Sequence, residues 1–176
     1  NKTPPICLML KLISKKTSKL SNKEIRSICL LKNTHWKYGI NYQLTWFKKN
    51  VKSFDIHNML LINKELVGYT LLRVRKMKSR FISKYFLFDT LIIKKEFRKT
   101  KLSNSIMNFN SSVIKKNKKI SFLLCKKKFV KYYNKYDWIK LNKKKIKVMD
   151  DKFDKNGMIF NCKKSNTQGF FNFWLH

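Results

Sequence analysis

The sequence predicts a mixed α/β fold: a central, mostly antiparallel twisted sheet flanked by helices. Three observations predict it. Apolar residues make up 43% of the 176-residue chain and aromatic residues 14%, enough for a packed core rather than a disordered chain. The first half carries short, strongly apolar runs separated by polar turns, as strands do. The second half interleaves apolar strands with a stretch whose apolar residues recur at helical spacing, the order of a mixed sheet. No internal repeat, linker or break in composition divides the chain, so residues 1–176 read as one domain with an apolar tail over 163–176.

Taken in order, residues 6–13 form an opening strand. Lys11 interrupts this apolar run and no small-residue cleavage site follows, which argues against a signal peptide. Ser21 with Glu24 three residues later is a capping box, and Ile25, Ile28, Cys29, Leu30 and Leu31 supply a helical stripe behind it. A weaker helix is expected over 43–51. Residues 57–62 and 66–74, joined at Asn63, Lys64 and Glu65, form a hairpin. Residues 81–93 are a long apolar strand. Leu102, Ile106, Phe109, Val113 and Ile114 then mark a helix, residues 120–125 a short buried strand, and 158–162 a last strand after a tyrosine-rich segment. The stretch from Gly169 to His176 is apolar enough to dock on the core, to form a dimer seam or to meet a membrane surface, and docking is the simplest of these. Monomer and homodimer both remain open.

The net charge of +33 has two readings. One is a polyanionic partner: nucleic acid, a ribosome, an anionic membrane face or a phosphorylated substrate. The other is a lysine-loaded solvated surface set by compositional drift. Only Arg26, Arg73, Arg75, Arg80 and Arg98 among the 42 basic residues are arginines, the type that reads bases and forks phosphates, and the lysines are spread along the whole chain. Both facts favour drift over a nucleic-acid-binding module. No apolar run approaches the roughly 20 residues that span a bilayer. Cys7, Cys29, Cys125 and Cys162 are far apart and form no CxxC pair, which suits reduced thiols in a cytoplasmic protein and predicts no metal site.

The segment with chemical content runs from Leu91 to Met107. A buried strand ends near Ile93, a polar loop follows, and a helix starts near Leu102. Such a loop offers free backbone N–H groups and the positive end of a helix dipole, hence an anion site. Arg98, Lys99 and Lys101 add charge to it. Every strand-to-helix loop shares part of this character.

This segment resembles the acetyl-CoA motif of the GNAT N-acetyltransferase superfamily, V-x-P-x-x-R/Q-x-x-G-x-G/A followed by an apolar helix. Ile93 stands at the Val, Lys95 at the Pro and Arg98 at the Arg/Gln, while Lys101 and Ser103 fall on the two glycines and Ile106-Met107 on the apolar pair. Downstream, Tyr132-Tyr133 takes the place of the family's F-Y and Asp137-Trp138 that of its G-F/W. Upstream, residues 54–69, with Leu66-Val67-Gly68, are similar to its β2–β3 hairpin. The three pieces cover about half the chain and are nearest the aminoglycoside 2'-N-acetyltransferase-like branch.

The resemblance implies a GNAT-like acyl-CoA N-acyltransferase fold and an acetyl-CoA-dependent transfer to a primary amine of a small molecule, by direct attack and without a metal. It implies that Leu91, Ile92 and Ile93 offer backbone groups to the pantetheine arm, and that Arg98, Lys99, Thr100, Lys101, Leu102 and Ser103 hold the pyrophosphate. It places Tyr133 as the acid that protonates the departing thiolate; without it, Tyr133 reads as an amphipathic core tyrosine. Asp89, in the strand that leads to the loop, is the candidate base, because a carboxylate in an apolar strand has a raised pKa; a solvent-facing strand position is the equal alternative. His57 is a lesser candidate and reads more readily as structural. The departures are the loop glycines, whose replacement by Lys101 and Ser103 brings a Cβ where backbone approaches phosphate and leaves an inactive member of the fold as an alternative. Asp137 replaces a further glycine, a milder change because Asp tolerates left-handed backbone. Nine carboxylates against 42 cations suit a neutral or anionic acceptor better than a polycationic one.

Overall fold

The computed structural model describes residues 9–78, 83–98, 100–150, 152, 154–163, 167 and 169–176. Residues 6–8 of the expected opening strand, Cys7, Arg80 and the first two residues of the expected 81–93 strand lie outside this set.

The chain begins with β1 (Leu10–Lys16), then α1 (Asn22–Asn33), α2 (Ile40–Asn50) and the strands β2 (Ile56–Ile62), β3 (Glu65–Lys78) and β4 (Lys84–Ile93). There follow α3 (Lys101–Lys116), β5 (Ser121–Cys125), the single turn α4 (Val130–Asn134), β6 (Ile139–Lys140), β7 (Ile146–Val148), β8 (Asn156–Phe160) and β9 (Phe171–Phe173). The sheet runs β1-β2-β3-β4-β5-β8-β6, and β9 joins the far end of β3 to β7. Pairing is antiparallel except between β4 and β5 and between β7 and β9. The mixed, mostly antiparallel sheet flanked by helices is therefore present. The second helix starts three residues earlier than apolar spacing suggested, because Gly39 at φ +89 turns the chain into it.

Local chemistry fixes the elements. Ser21 Oγ accepts from the Glu24 N–H (3.2 Å) and Glu24 accepts from the Ser21 N–H (2.9 Å), the predicted capping box of α1. Asn63 and Lys64, both at positive φ (49° and 69°), make the tight turn whose twist suits a two-residue hairpin. The sheet is covered on both faces, which explains why β2 to β4 are nearly all apolar rather than alternating. Met59, Tyr69, Leu71 and Ile92 pack beneath α1 and α2 against Ile28, Cys29 and Phe47. The neighbouring residues Leu60, Val67 and Ile93 point the other way and pack against Ile106 of α3.

Two buried polar groups lock this arrangement. The Asp55 carboxylate accepts from the Lys52 and Val74 N–H groups (2.8 Å each) and pairs with Arg75 at 3.4 Å. Arg75 in turn donates to the Leu175 carbonyl, Tyr85 to the Trp174 carbonyl, and Asp150 accepts from the N–H groups of Leu175 and His176. The C-terminal stretch is thus docked on the core through β9.

His57 is fully buried, stacked between Phe47 and Tyr69. The Thr17 hydroxyl donates to the Asp55 carbonyl, so Thr17 Oγ1 accepts from His57 Nε2–H (2.8 Å), and His57 Nδ1 accepts from the Tyr69 hydroxyl (2.7 Å). His57 is a neutral structural bridge. Burial, with the Lys32 charge second, pushes its pKa down to about 4. The unfolded chain therefore takes up a proton between pH 6.5 and 4 that the folded chain refuses, so stability falls as pH drops through that window. Chemical denaturation should show a loss of about 2 kcal/mol from pH 7 to pH 5 attributable to this group, absent from a His57→Gln variant.

Candidate active site

The site arises where β4 and β5 part. Their parallel pairing spans only Phe86↔Ser121 and Leu87↔Phe122, although β4 continues to Ile93 and β5 to Cys125. Beyond Leu87 the β4 backbone has β3 on one side and no registered strand on the other. The bulge in β3–β4, where Leu71 faces Thr90 and Leu72 faces Phe88, leaves Asp89 as the extra residue and bends β4 at the parting. A bulge re-aims side chains, and here it exposes Asp89 on a strand whose neighbours are buried.

Two cavities flank this part of β4. The first, of about 380 Å³, is lined by His35, Leu91, Ile92, Ile93, Arg98, Phe129, Tyr132 and Tyr133. It brings together five of the sequence-predicted residues: Leu91, Ile92, Ile93, Arg98 and Tyr133. The second, of about 270 Å³, is lined by Lys32, Trp36, Tyr38, Tyr42, Gln43, Trp46, Asp89 and Thr90. Asp89 is thus on β4 two residues from the first cavity but opens into the second. The α1–α2 connection borders both, with His35 at the first and Trp36 at the second, their rings edge to face at 4.8 Å.

Tyr133 is held by the aromatic ring set of Phe88, Tyr132 and Trp138, each edge-on to it. Burial, with Cys125 nearby, pushes its pKa up to about 12, so the phenol keeps its proton near neutral pH. Trp138 stacks on Phe88 (5.6 Å) and is itself buried. The chain reaches Trp138 through Asp137 at φ +62, the left-handed position the sequence reading assigned to it.

Asp89 is ion-paired with Arg73 at 3.5 Å, and its side chain is 24% exposed. Of the two expectations for Asp89, the solvent-facing strand position is the one seen, with a buried guanidinium beside the carboxylate. In the loop after β4, Arg98 is exposed and its Nε donates to the Ile93 carbonyl (3.0 Å), which anchors the guanidinium beside the end of β4. Thr100 caps α3, its Oγ1 accepting from the Leu102 N–H and its carbonyl from the Ser103 N–H. Lys101 and Ser103 lie inside the helix, so their backbone asks for no glycine; the cap has already engaged two of the helix's first N–H groups. Arg98 is the cation that lines this end of the cavity. Lys99 lies outside the described residues.

Lys32, Trp36, Trp46, Arg73 and His35 escaped the sequence reading. Lys32 follows Ile25, Ile28 and Cys29 at helical spacing, so a lysine in the apolar stripe of α1 was the available signal. Among the described residues no group of three or more His, Cys, Asp or Glu is placed to hold a metal ion. No described helix is long and apolar enough to cross a membrane.

Among solved structures, the fold matches an acyl-CoA N-acyltransferase from Pseudomonas aeruginosa at 15% identity and a TM-score of 0.64, over 86% of this chain and 99% of that one. Escherichia coli ElaA matches with the same four values. The GNAT family N-acetyltransferase YhbS from Escherichia coli, in complex with CoA, matches at 6% identity and a TM-score of 0.66, over 98% of this chain and 93% of that one. No protein-family profile matches the chain, and no curated protein matches its sequence. The fold is that of the GNAT acyl-CoA N-acyltransferases.

The left-handed backbone at Asp137 sets how Tyr133 and Trp138 meet. Asp137→Gly should leave the thermal midpoint nearly unchanged, whereas Asp137→Val should cost about 1–2 kcal/mol in a denaturant titration.

Proposed function

We propose that the protein is an acetyl-CoA-dependent N-acetyltransferase that acts on a primary amine of a small molecule. The observation that carries this is the parting of β4 from β5. It leaves β4 past Leu87 with no registered strand on one side, the edge that the amides of a pantetheine arm would extend by strand-like pairing. Arg98 lines the loop end of that cavity and Tyr133 its wall, and Lys101, the first residue of α3, adds charge beyond Arg98 for the pyrophosphate. The residues fit the co-substrate, with charge at Lys101 in the place of close backbone approach.

The acceptor amine enters the second cavity and reaches β4 at Asp89 and Thr90. Its nitrogen lone pair attacks the thioester carbonyl; the C–N bond forms as the C–S bond breaks. The β4 backbone at the bulge stabilises the developing oxyanion. Asp89, directly or through water, takes the proton the amine loses, and Arg73 orients its carboxylate. Tyr133 gives its proton to the departing sulfur, which leaves as the coenzyme A thiol. The second cavity is slightly below the roughly 300–1,000 Å³ usual for drug-sized ligands, which favours a small amine over an aminoglycoside.

Acetyl-CoA at about a hundred times its Kd should stabilise the protein by about 2.7 kcal/mol in a thermal-shift assay. Lys101→Gly should weaken that binding about tenfold, and Ser103→Gly should leave it unchanged. A melting curve indifferent to acetyl-CoA in all three proteins would sink the acetyltransferase reading. Tyr133→Phe should lower kcat by about a hundredfold or more while the acetyl-CoA KM holds, measured by release of free thiol.

A further inference from the structure

The second cavity contains a charge that the proposed chemistry does not use. Lys32 is 6% exposed and lines the cavity floor. Among the described residues no carboxylate lies within 4 Å of its Nζ and no hydrogen-bond acceptor meets it. The Trp46 ring lies under it, with Nζ 3.7 Å from the centroid, the Trp36 ring lies at 6.0 Å, and the Asp89 carboxylate attracts its charge from beyond ion-pair distance. A buried ammonium with a ring face and a distant carboxylate is costly, because these return less than the hydration they replace, and burial accordingly pushes the Lys32 pKa down. The Asp89 carboxylate that faces the same cavity is already paired with Arg73, whose guanidinium also lies against Trp46 at 5.6 Å. Two cations and one carboxylate leave the pocket with one uncompensated positive charge.

We infer that the acceptor is a small amine that also bears an anionic group, a carboxylate or a phosphate, and that Lys32 binds this group while Trp36 and Trp46 pack its apolar or planar body. This rests on the acetyltransferase reading for the word acceptor, but the binding claim stands on Lys32 itself. Aromatic walls alone would also suit a cationic ligand. Here the face of Trp46 is taken, and a second cation would meet the Lys32 charge in a low-dielectric pocket. The same repulsion helps the reaction: it favours the neutral, nucleophilic form of the acceptor amine. Tyr38 and Tyr42, 66% and 53% exposed with ring centroids 5.1 Å apart, form the mouth through which such a molecule enters.

The test uses matched amines that differ only in the anion: phenylalanine against phenethylamine, and phosphoethanolamine against ethanolamine. Binding is read by quenching of tryptophan fluorescence and, separately, acetylation by thiol release with acetyl-CoA. At least one probe that carries the anion should bind about tenfold or more tighter than its partner that lacks it. Lys32→Met should abolish that preference and Lys32→Arg should keep it, both judged on protein whose melting curve shows it folded. The exposed Lys116→Gln should change nothing, which separates a site from the general positive field. The carboxylate and phosphate pairs tell which anion is meant. Equal binding of both members of each pair, tighter binding of spermidine, or an anion preference that survives Lys32→Met overturns the inference. Anion binding lost in Lys32→Met, with no acetyl transfer to any probe and no stabilisation by acetyl-CoA, would uphold the Lys32 site and fail the acetyltransferase reading instead.

Discussion

The parallel contact between β4 and β5 lasts for two residues, and the geometry of the site depends on where it stops. Phe86 and Leu87 pair with Ser121 and Phe122, and Ser121 Oγ donates to the Phe86 carbonyl to hold that end closed. Past this point β4 bends at its Asp89 bulge and its backbone is left without a neighbour on one side. An unpaired strand edge in a protein interior is expensive, because each N–H and C=O group loses water without gaining a partner. The fold tolerates it by leaving the edge open to solvent through a cavity rather than burying it. Around that edge the loop after β4, α4 and the α1–α2 connection each contribute a wall, so elements distant in sequence become neighbours where two strands separate.

Charge placement follows from the same architecture. Most of the lysines are solvated on the surface, where each costs little. Arg73, Arg75 and Lys32 are different: all three are at most 6% exposed, on β3 and α1, close to the parting strands. Arg75 is matched by Asp55 and by the Leu175 and Asn50 carbonyls, and Arg73 by Asp89 and Asn50. These pairs fix side chains in one arrangement at the cost of desolvation, and removing one partner would strand the other. The overall +33 says little about the site; three buried cations say more.

How much of this was legible in the sequence depended on whether the signal was local. The α1 capping box, the Asn63–Lys64 turn, the α3 stripe and the left-handed Asp137 are set by residues within a few positions of one another, and each is where the sequence put it. The fold class and the five residues of the first cavity were legible through the segment that runs from Leu91 to Tyr133. The second cavity was not. Its members come from α1, α2 and β4, and a lysine among 42 basic residues carries no mark of burial. The environment of Asp89 escaped for the same reason: its partner Arg73 is sixteen residues away on another strand, and only the bulge register brings them together.

The docking of β9 has a consequence for how the molecule is made. Arg75 and Leu175 are joined across 100 residues, and Phe173 stacks on Phe122 at 3.8 Å to close the end of the sheet where β3 begins to leave β4. At typical synthesis rates of about 5–20 residues per second, β3 waits roughly 5–20 s for that partner. During this interval the Met77 end of β3 is a bare strand edge beside uncovered aromatic rings, the kind of surface that chaperones hold and that other chains pair with. The slow, vulnerable step in forming this sheet therefore lies in the arrival of β9, which closes the end of β3 opposite the one beside Ile93.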